Sequence, residues 1–359
     1  MKKKGIICLG AGTYQEPLIK SIINSGYSVI AIDRNYNAVG FKYADHSILK
    51  STYSFENLLP DLLDLEKQYK IMGVLNRSSG LPVIVAAEIS KYFDIPALPV
   101  ENAAKIVHKH RLRESCISFS IPSPKHTALN NGSFSLHKEF KFPLVVKPSL
   151  SLVGKSGVTL VNDMNQMSTA IKYAEDITMN NKILIEEYLP GQDFSLISFV
   201  NNNQLFPICF LDEINKVLND GTIYGQGFKT HPLKTNDGLE DEAIRIASLF
   251  KEKFKIERSP LILNFRQDFQ GSLRLIEVHL DLGGDSLIEG LFPRALPYNF
   301  LEMAVGILTG DDTMSVNHKI RPTAIFFEKG DEIITNRKFV VFSSDSQTTL
   351  DNKINEAGF

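Results

Sequence analysis

Apolar residues recur along the chain with two periods, and the switches between them outline the elements. Residues 5–9 (GIICL) form an apolar run of the kind buried in a parallel sheet, and Gly10-Ala11-Gly12 follows. A helical spacing over 15–24 closes at Gly26, and a second strand ends at Asp33, completing a βαβ unit. Beyond Ala44-Asp45 come a short third strand, a helix at 55–69 whose first turn is disturbed by Pro60, a strand at 71–75, the loop NRSSG and a helix at 81–93. Residues 1–98 therefore read as an open α/β domain with its loops gathered at the strand C-termini. One helical stripe then runs over 102–119 and stops before Ile121-Pro122-Ser123-Pro124, which forces an extended connector.

The second half reads mostly as strands. A strand at 144–146 presents Lys147 and is stopped by Pro148; a Ser/Gly loop, 149–157, leads to a strand at 158–161 and a helix at 165–175. A strand at 183–185 leads to Glu186-Glu187, the linker Tyr188-Leu189-Pro190, a turn at Gly191, then Asp193 and another strand. Residues 201–260 read as a long loop rich in Asn and Gly, suited to a substrate lid, with a helix at 239–254. Apolar runs at 261–265 and 273–278, separated by a turn ending in Gly271-Ser272, form a β-hairpin pattern. Folding it sets Asn264 beside Glu277, and its second strand runs into His279, Asp281 and Gly283-Gly284. Residues 286–309 are apolar and helical; strands return from Arg321, and a short helix begins near Ser346.

Composition narrows the class. A chain of 359 residues is too long for one ordinary core, and 43% hydrophobic with 22% charged residues is a soluble globular composition. A net charge of −2 gives no nucleic-acid surface, and no apolar run approaches the roughly 18 residues of a membrane span. The apolar run of MKKKGIICLGAG is too short for a signal peptide. Cys8, Cys116 and Cys209 lie far apart without metal spacing and read as reduced thiols of a cytoplasmic protein.

Four stretches suggest chemistry. Gly10-x-Gly12 with Asp33 matches the start of a dinucleotide fingerprint, but Gln15 holds the place of the third glycine; a nicotinamide-dependent oxidoreductase would rest on these residues alone. The 149–157 loop lacks P-loop spacing, yet small residues let backbone N–H groups approach phosphate, and Lys147 and Lys155 add positive charge. Backbone at 187–189 would meet an adenine edge, and Asp193 would accept from ribose hydroxyls. The hairpin end, with Glu277 among other oxygen ligands, suits a hard cation such as Mg²⁺; an exposed hairpin with scattered polar residues is the competing reading.

Taken in order, the βαβ domain, Lys109, Lys147 with its Ser/Gly loop, Glu186–Asp193 and the Asn264…Glu277 hairpin resemble the ATP-grasp superfamily over about residues 1–345. The resemblance implies an α/β fold: an open parallel preATP-grasp domain (1–98), lid (99–182), a second ATP-grasp subdomain with the metal hairpin (183–312) and a small cap (313–359). It implies ATP and Mg²⁺ as cofactors. Lys109 and Lys147 would contact phosphates, with Ser149, Gly154 and Lys155 in the closing loop. Glu186, Glu187 and Leu189 would meet adenine, and Asp193 ribose. The family's metal signature is an acid on the first hairpin strand and Glu-x-Asn on the second. Glu277 matches, whereas Asn264 replaces the first acid and His279 the later Asn, and Asp281 stands where an arginine is frequent. Asp281 or Asp285 would restore the missing carboxylate, and Arg266 or Arg294 would steady an acyl-phosphate. The implied activity is ATP-dependent joining of a small-molecule carboxylate to an amine or thiol, without nucleic-acid or membrane partners and compatible with a homodimer. A nucleotide-binding sensor or partner subunit that has lost ligase chemistry is the alternative suggested by Asn264, His279 and Asp281.

Overall fold

The computed structural model of the chain describes residues 2–130, 140–151, 155–232, 238–284, 286–311, 319–328 and 338–359. Strands β1 (Lys3–Leu9), β2 (Ser28–Asp33), β3 (His46–Leu49) and β4 (Tyr69–Asn76) form a parallel sheet in the order β3-β2-β1-β4. Strict alternation along β1 sends Ile6 and Cys8 to one face and Ile7 and Leu9 to the other. Helix α1 (Glu16–Asn24) covers the first face with Leu18, Ile19 and Ile22; α2 (Phe55–Gln68) and α3 (Leu81–Tyr92) cover the second. Pro60 lies inside α2, which the Ser54 hydroxyl caps by accepting from Asn57 N–H. The Gly10-x-Gly12 turn closes on itself. Asp33 accepts from Ala11 N–H at 2.8 Å and Asn35 N–H at 2.9 Å, so the acid of the oxidoreductase reading serves its own turn.

The single helix expected over 102–119 is two: α4 (Val100–Val107) and α5 (Lys109–Ser118), broken at His108 with φ −89° and ψ 103°. The break has a bonding reason. Lys109 N–H leaves the helical ladder and donates to Ser149 O at 2.9 Å, and the His110 ring meets Ser149 Oγ at 2.6 Å.

Strands β5 (His126–Asn130), β6 (Leu144–Pro148), β7 (Thr159–Val161) and β8 (Lys182–Glu187) form a small antiparallel sheet in the order β5-β8-β6-β7. Helix α6 (Met164–Ile177) buries Leu144, Val146, Ile183 and Ile185 against Met167, Ala170 and Ala174. Alternation therefore sends Val145, Lys147, Leu184 and Glu186 to the uncovered face.

The third sheet has seven antiparallel strands: β9 (Asp193–Asn201), β10 (Gln204–Val217), β11 (Ile223–Thr230), β12 (Ser259–Gln267), β13 (Leu273–His279), β14 (Thr323–Phe327) and β15 (Phe339–Ser343), ordered β13-β12-β9-β10-β11-β14-β15. The long loop expected after residue 201 is thus mostly β10 and β11. Asn219-Asp220-Gly221 belongs to their turn, with Gly221 at φ +84°. Gly225 and Gly227 lie within β11; a Cβ on Gly227 would stand 2.1 Å from Ile325 O of β14. Loop-like composition here reflects one turn and one close strand contact. The tail expected as a cap adds β14 and β15 to this sheet, followed by α10 (Gln347–Glu356) behind its Ser346 cap.

One face of the large sheet, with Phe194, Leu196, Leu263 and Phe265, packs on α4, α5 and α7 (Leu239–Lys253). The opposite face changes character along its length. Ile197, Phe199, Cys209 and Ile262 bury against the first domain and a helical segment made of a π turn at Leu287–Leu291, α8 (Phe292–Ala295) and α9 (Phe300–Thr309). Further along the same strands that face carries Asp193, Ser195, Glu213, Asn264 and Glu277, roofed by the small sheet. Among the described residues no helix is long and apolar enough to cross a membrane, and all three cysteines are buried and free.

Gly227→Ala should lower unfolding free energy by about 1–3 kcal/mol, because the new methyl overpacks the β11–β14 contact. A urea midpoint equal to that of the natural chain would refute the close approach of these strands.

Candidate functional site

The cleft between the small and large sheets is organised by one buried carboxylate. Glu186, on the cleft face of β8, is 3% exposed. Its Oε1 accepts from Arg113 Nε and its Oε2 from Lys147 Nζ, each at 2.7 Å. Arg113 lies one turn beyond Lys109 on α5 and also donates to Ile276 O of β13 at 2.6 Å. Burial opposes the charge on Glu186, but Arg113 and Lys147 outweigh it and hold the carboxyl below its usual range. Burial also pushes the Lys147 ammonium down to about 8, against the raising influence of Glu186.

Two further lysines meet carboxylates from the sheet below. Lys109 Nζ lies 2.7 Å from Glu277 Oε1. Burial would raise the Glu277 pKa, but Lys109, with His279 and Lys147 further off, keeps it well below the ordinary range. Lys155 reaches from the roof to Asn215 Oδ1 at 2.5 Å and Glu213 Oε2 at 3.5 Å. The floor is ordered by strand register: Asn264 pairs with both Glu277 and Ser195, and Asp193 pairs with Glu213. A bulge after Asn264 lets Ile276 line the cleft beside Glu277. Asp193 accepts from Arg266 at 3.1 Å and Asn215 at 2.7 Å; burial raises its pKa, which Arg266 partly opposes. The empty space between its walls, open mouth included, is about 870 Å³.

Lys109, Lys147, Lys155, Glu186, Glu187, Leu189, Asp193, Asn264, Arg266 and Glu277 all line this cleft. Several play parts the sequence did not suggest. The Glu186 carboxylate is engaged by two cations, as their counter-ion. Glu187 accepts from Lys125 N–H, and Leu189 O accepts from Arg266. Arg266 also stacks over Tyr188 at 4.8 Å, so it braces the linker. Ser149 is fully buried, bonded to His110, and does not line the cleft. Arg294 is exposed, donates to Gly290 O and is absent from the cleft wall. Gly154 and Asp285 lie outside the described residues. Asp281 and His279 line an adjoining hollow that shares Lys109, Ser151 and Glu277 with the main cleft. There Ser79 Oγ donates to Asp281 at 2.9 Å and lies 3.4 Å from His279 Nδ1.

Sequence reasoning missed Arg113, Glu213 and Asn215. Arg113 follows His110 and precedes Cys116 by three residues each, on a buried stripe of α5. A charge on such a stripe announces a buried partner. Glu213 and Asn215 stand two apart after an apolar run, the alternation of a strand entering a polar site.

The family model described as "D-ala D-ala ligase C-terminus" matches residues 118–231. A formate-dependent phosphoribosylglycinamide formyltransferase from Methanocella arvoryzae is 26% identical over 51% of this chain and 43% of its own length. A phosphoribosylamine–glycine ligase from Pyrococcus horikoshii is 23% identical over 85% of this chain and 72% of its own. The chain spans about half the length of the first curated relatives it matches. The crystal structure of N5-carboxyaminoimidazole synthetase from Staphylococcus aureus complexed with ADP superposes with a TM-score of 0.78 at 13% identity, covering 99% of this chain and 97% of that one. The chain is built on the ATP-grasp fold.

The sequence resemblance implies Mg²⁺ as a cofactor, and the cleft can be tested for donors that fit it. Among the described residues no three His, Cys, Asp or Glu side chains converge enough to hold an ion unaided. Glu277 and Asn264 nevertheless offer oxygen donors on the cleft floor, a donor type that would suit a hard cation. His279 does not suit that role. Its Nε2 is 3.9 Å from Glu277 Oε2, its other nitrogen faces Ser79, and imidazole is a weak ligand for a hard cation.

Arg113→Met should destabilise the protein by about 3–5 kcal/mol, because it leaves Glu186 buried with one partner. Denaturant titration reads this directly, and a loss below about 1 kcal/mol would place Glu186 in a solvated site.

Proposed function

We propose that this protein is an ATP-dependent ligase joining a small-molecule carboxylate to an amine, or a thiol, with release of ADP and phosphate. The reading is carried by the convergence of Lys109, Lys147 and Lys155 on one cleft, each held against a carboxylate. Such lysines neutralise a polyphosphate without needing to be built anew when it arrives. Asp193 and the backbone at 187–189 are the adenosine contacts in this reading, and the hollow containing Ser79, His279 and Asp281 receives the acid and the amine.

In the reaction a carboxylate oxygen attacks the γ-phosphorus, the bond to the bridging oxygen of ADP breaks, and an acyl-phosphate forms. The amine attacks the acyl carbon, phosphate departs, and the nitrogen loses a proton. The lysines hold the phosphate oxygens in line and offset their charge. Mg²⁺, when bound, supplies further charge neutralisation, with Glu277 and Asn264 as its protein ligands. The relatives support carbon–nitrogen chemistry: one is named for joining phosphoribosylamine to glycine.

A phosphate-release screen over amino acids and small carboxylic acids with ATP and Mg²⁺ should find pairs that stimulate ADP formation. Tight ATP binding without any stimulated release would make the protein a nucleotide-binding module. Asp193→Ala should weaken ATP more than inorganic triphosphate, which lacks a ribose; equal losses would contradict its role.

Lys147→Ala should cost on the order of 1.5–3 kcal/mol of ATP affinity by calorimetry. Its pH dependence has a definite sign. The free site releases the Lys147 proton near pH 8, and phosphate favours the ammonium, so the complex keeps that proton to higher pH. Affinity should be full below pH 8 and decline above it, with proton uptake on binding near pH 9 when calorimetry is repeated in two buffers. A flat profile that persists in the natural chain would remove Lys147 from phosphate contact.

A further inference from the structure

The hollow beside the nucleotide cleft is polar at its rim and apolar inside. Lys109, Ser151 and Glu277 line both spaces, so the two meet there. Ser79, His279 and Asp281 complete the rim. Behind them the walls are carbon: Val83 of α3, Ile106 and Val107 of α4, Leu112 of α5, and Leu150, two residues beyond β6. The break between α4 and α5 sets two of these groups side by side. Val107 ends α4 and Lys109 begins α5, so one junction supplies an apolar wall and a cation. An acid with its carboxylate at Lys109 therefore directs its remaining atoms into the hollow.

The rim offers little to a polar body, because its groups already serve one another. Asp281 accepts from Ser79 Oγ on one oxygen and from Gly283 N–H on the other, each at 2.9 Å. Ser79 has one hydroxyl hydrogen, given to Asp281, and His279 Nδ1 lies 3.4 Å from the same oxygen. Glu277 is held by Lys109 at 2.7 Å. Deeper in, Val83, Ile106, Leu112 and Leu150 are sheltered from water, none more than 4% exposed. A hydroxyl, amide or second carboxylate pushed among them would lose its water without gaining a partner.

We infer that the acid activated in the proposed reaction has a short aliphatic body, which the hollow receives while the carboxylate stays at Lys109. The inference rests on the ligase reading and names the class of acid which that reading leaves open. The recognised feature is the apolar body: a simple aliphatic acid and an α-amino acid with an aliphatic side chain both present it. Val107, partly exposed at the end of α4, is a specificity-determining residue.

The test uses the full chain with ATP, Mg²⁺ and hydroxylamine. The hydroxylamine nitrogen attacks the acyl carbon of an acyl-phosphate, loses a proton and releases phosphate, leaving a hydroxamate that is read by its coloured iron complex. The natural amine need not be known. Near-isosteric acids are compared in pairs: 4-methylpentanoate with succinamate, L-leucine with L-asparagine, and L-valine with L-threonine. In at least one pair the aliphatic member should show kcat/KM about tenfold or more above its polar partner, the scale of one polar group buried unpaired. The pair that responds tells a plain acid from an amino acid. Val107→Thr keeps the shape of the wall and adds a hydroxyl. It should raise KM for the favoured acid several-fold and leave KM for ATP unchanged, a split that a loss of stability alone would not produce. Polar members used as well as their aliphatic partners, or an unchanged acid KM in folded Val107→Thr, would overturn the inference and leave the ligase reading standing. So would the absence of hydroxamate from all these acids in a chain whose ADP formation other carboxylates stimulate. ATP binding with no stimulated ADP formation from any acid would overturn both.

Discussion

The buried contact of Glu186 with Arg113 and Lys147 is the constraint on which the cleft depends. It joins three parts of the fold: the small sheet through β8 and β6, the helical layer through α5, and the large sheet through the Arg113 bond to Ile276. Removing three charges from water is costly, and such a cluster is weak evidence of net stability. What it supplies is position. Lys147 cannot swing outward, because its carboxylate partner is itself fixed on the far side by a fully buried arginine. An ammonium locked this way meets an incoming anion with little rotamer entropy left to lose.

The large sheet makes a second economy. One strand face does two jobs because period-two alternation continues while its surroundings change. Along β9 the residues Phe199 and Ile197 close a hydrophobic core, whereas Ser195 and Asp193 continue the same face and Asp193 lines the cleft. The same succession runs along β12 from Ile262 to Asn264 and along β10 from Leu211 to Glu213. Site geometry is therefore inherited from core packing: a slip of one residue in any of these strands would turn its polar group into the wrong layer.

This division explains what was legible in the sequence. The βαβ start, the hairpin and the pairing of Asn264 with Glu277 were legible because each depends on local periodicity and a short turn. The break at His108 was not, since it answers to Ser149, some forty residues away in the chain. β10 and β11 were hidden because glycines demanded by contact with β14 look like loop glycines in one dimension. The partners of Glu186 and Ser149 were not legible: a lone acid or hydroxyl carries no sign of the arginine or histidine that will meet it. Arg294 was chosen by charge and nearness in sequence, and the turns around it carry it to the surface.

β13, which bears Glu277, is the outermost strand of its sheet, and an unpaired strand margin is a template for adhesion to other chains. Here its outer groups are occupied. Pro122 O accepts from Leu275 N–H at 2.8 Å, Glu242 accepts from Leu273 N–H at 3.3 Å, and Arg113 covers Ile276 O. Pro122 belongs to the extended connector, and a proline has no N–H with which to continue a ladder. The connector thus finishes the margin without becoming an eighth strand. The segment that places α5 at the cleft also shields β13 from self-association.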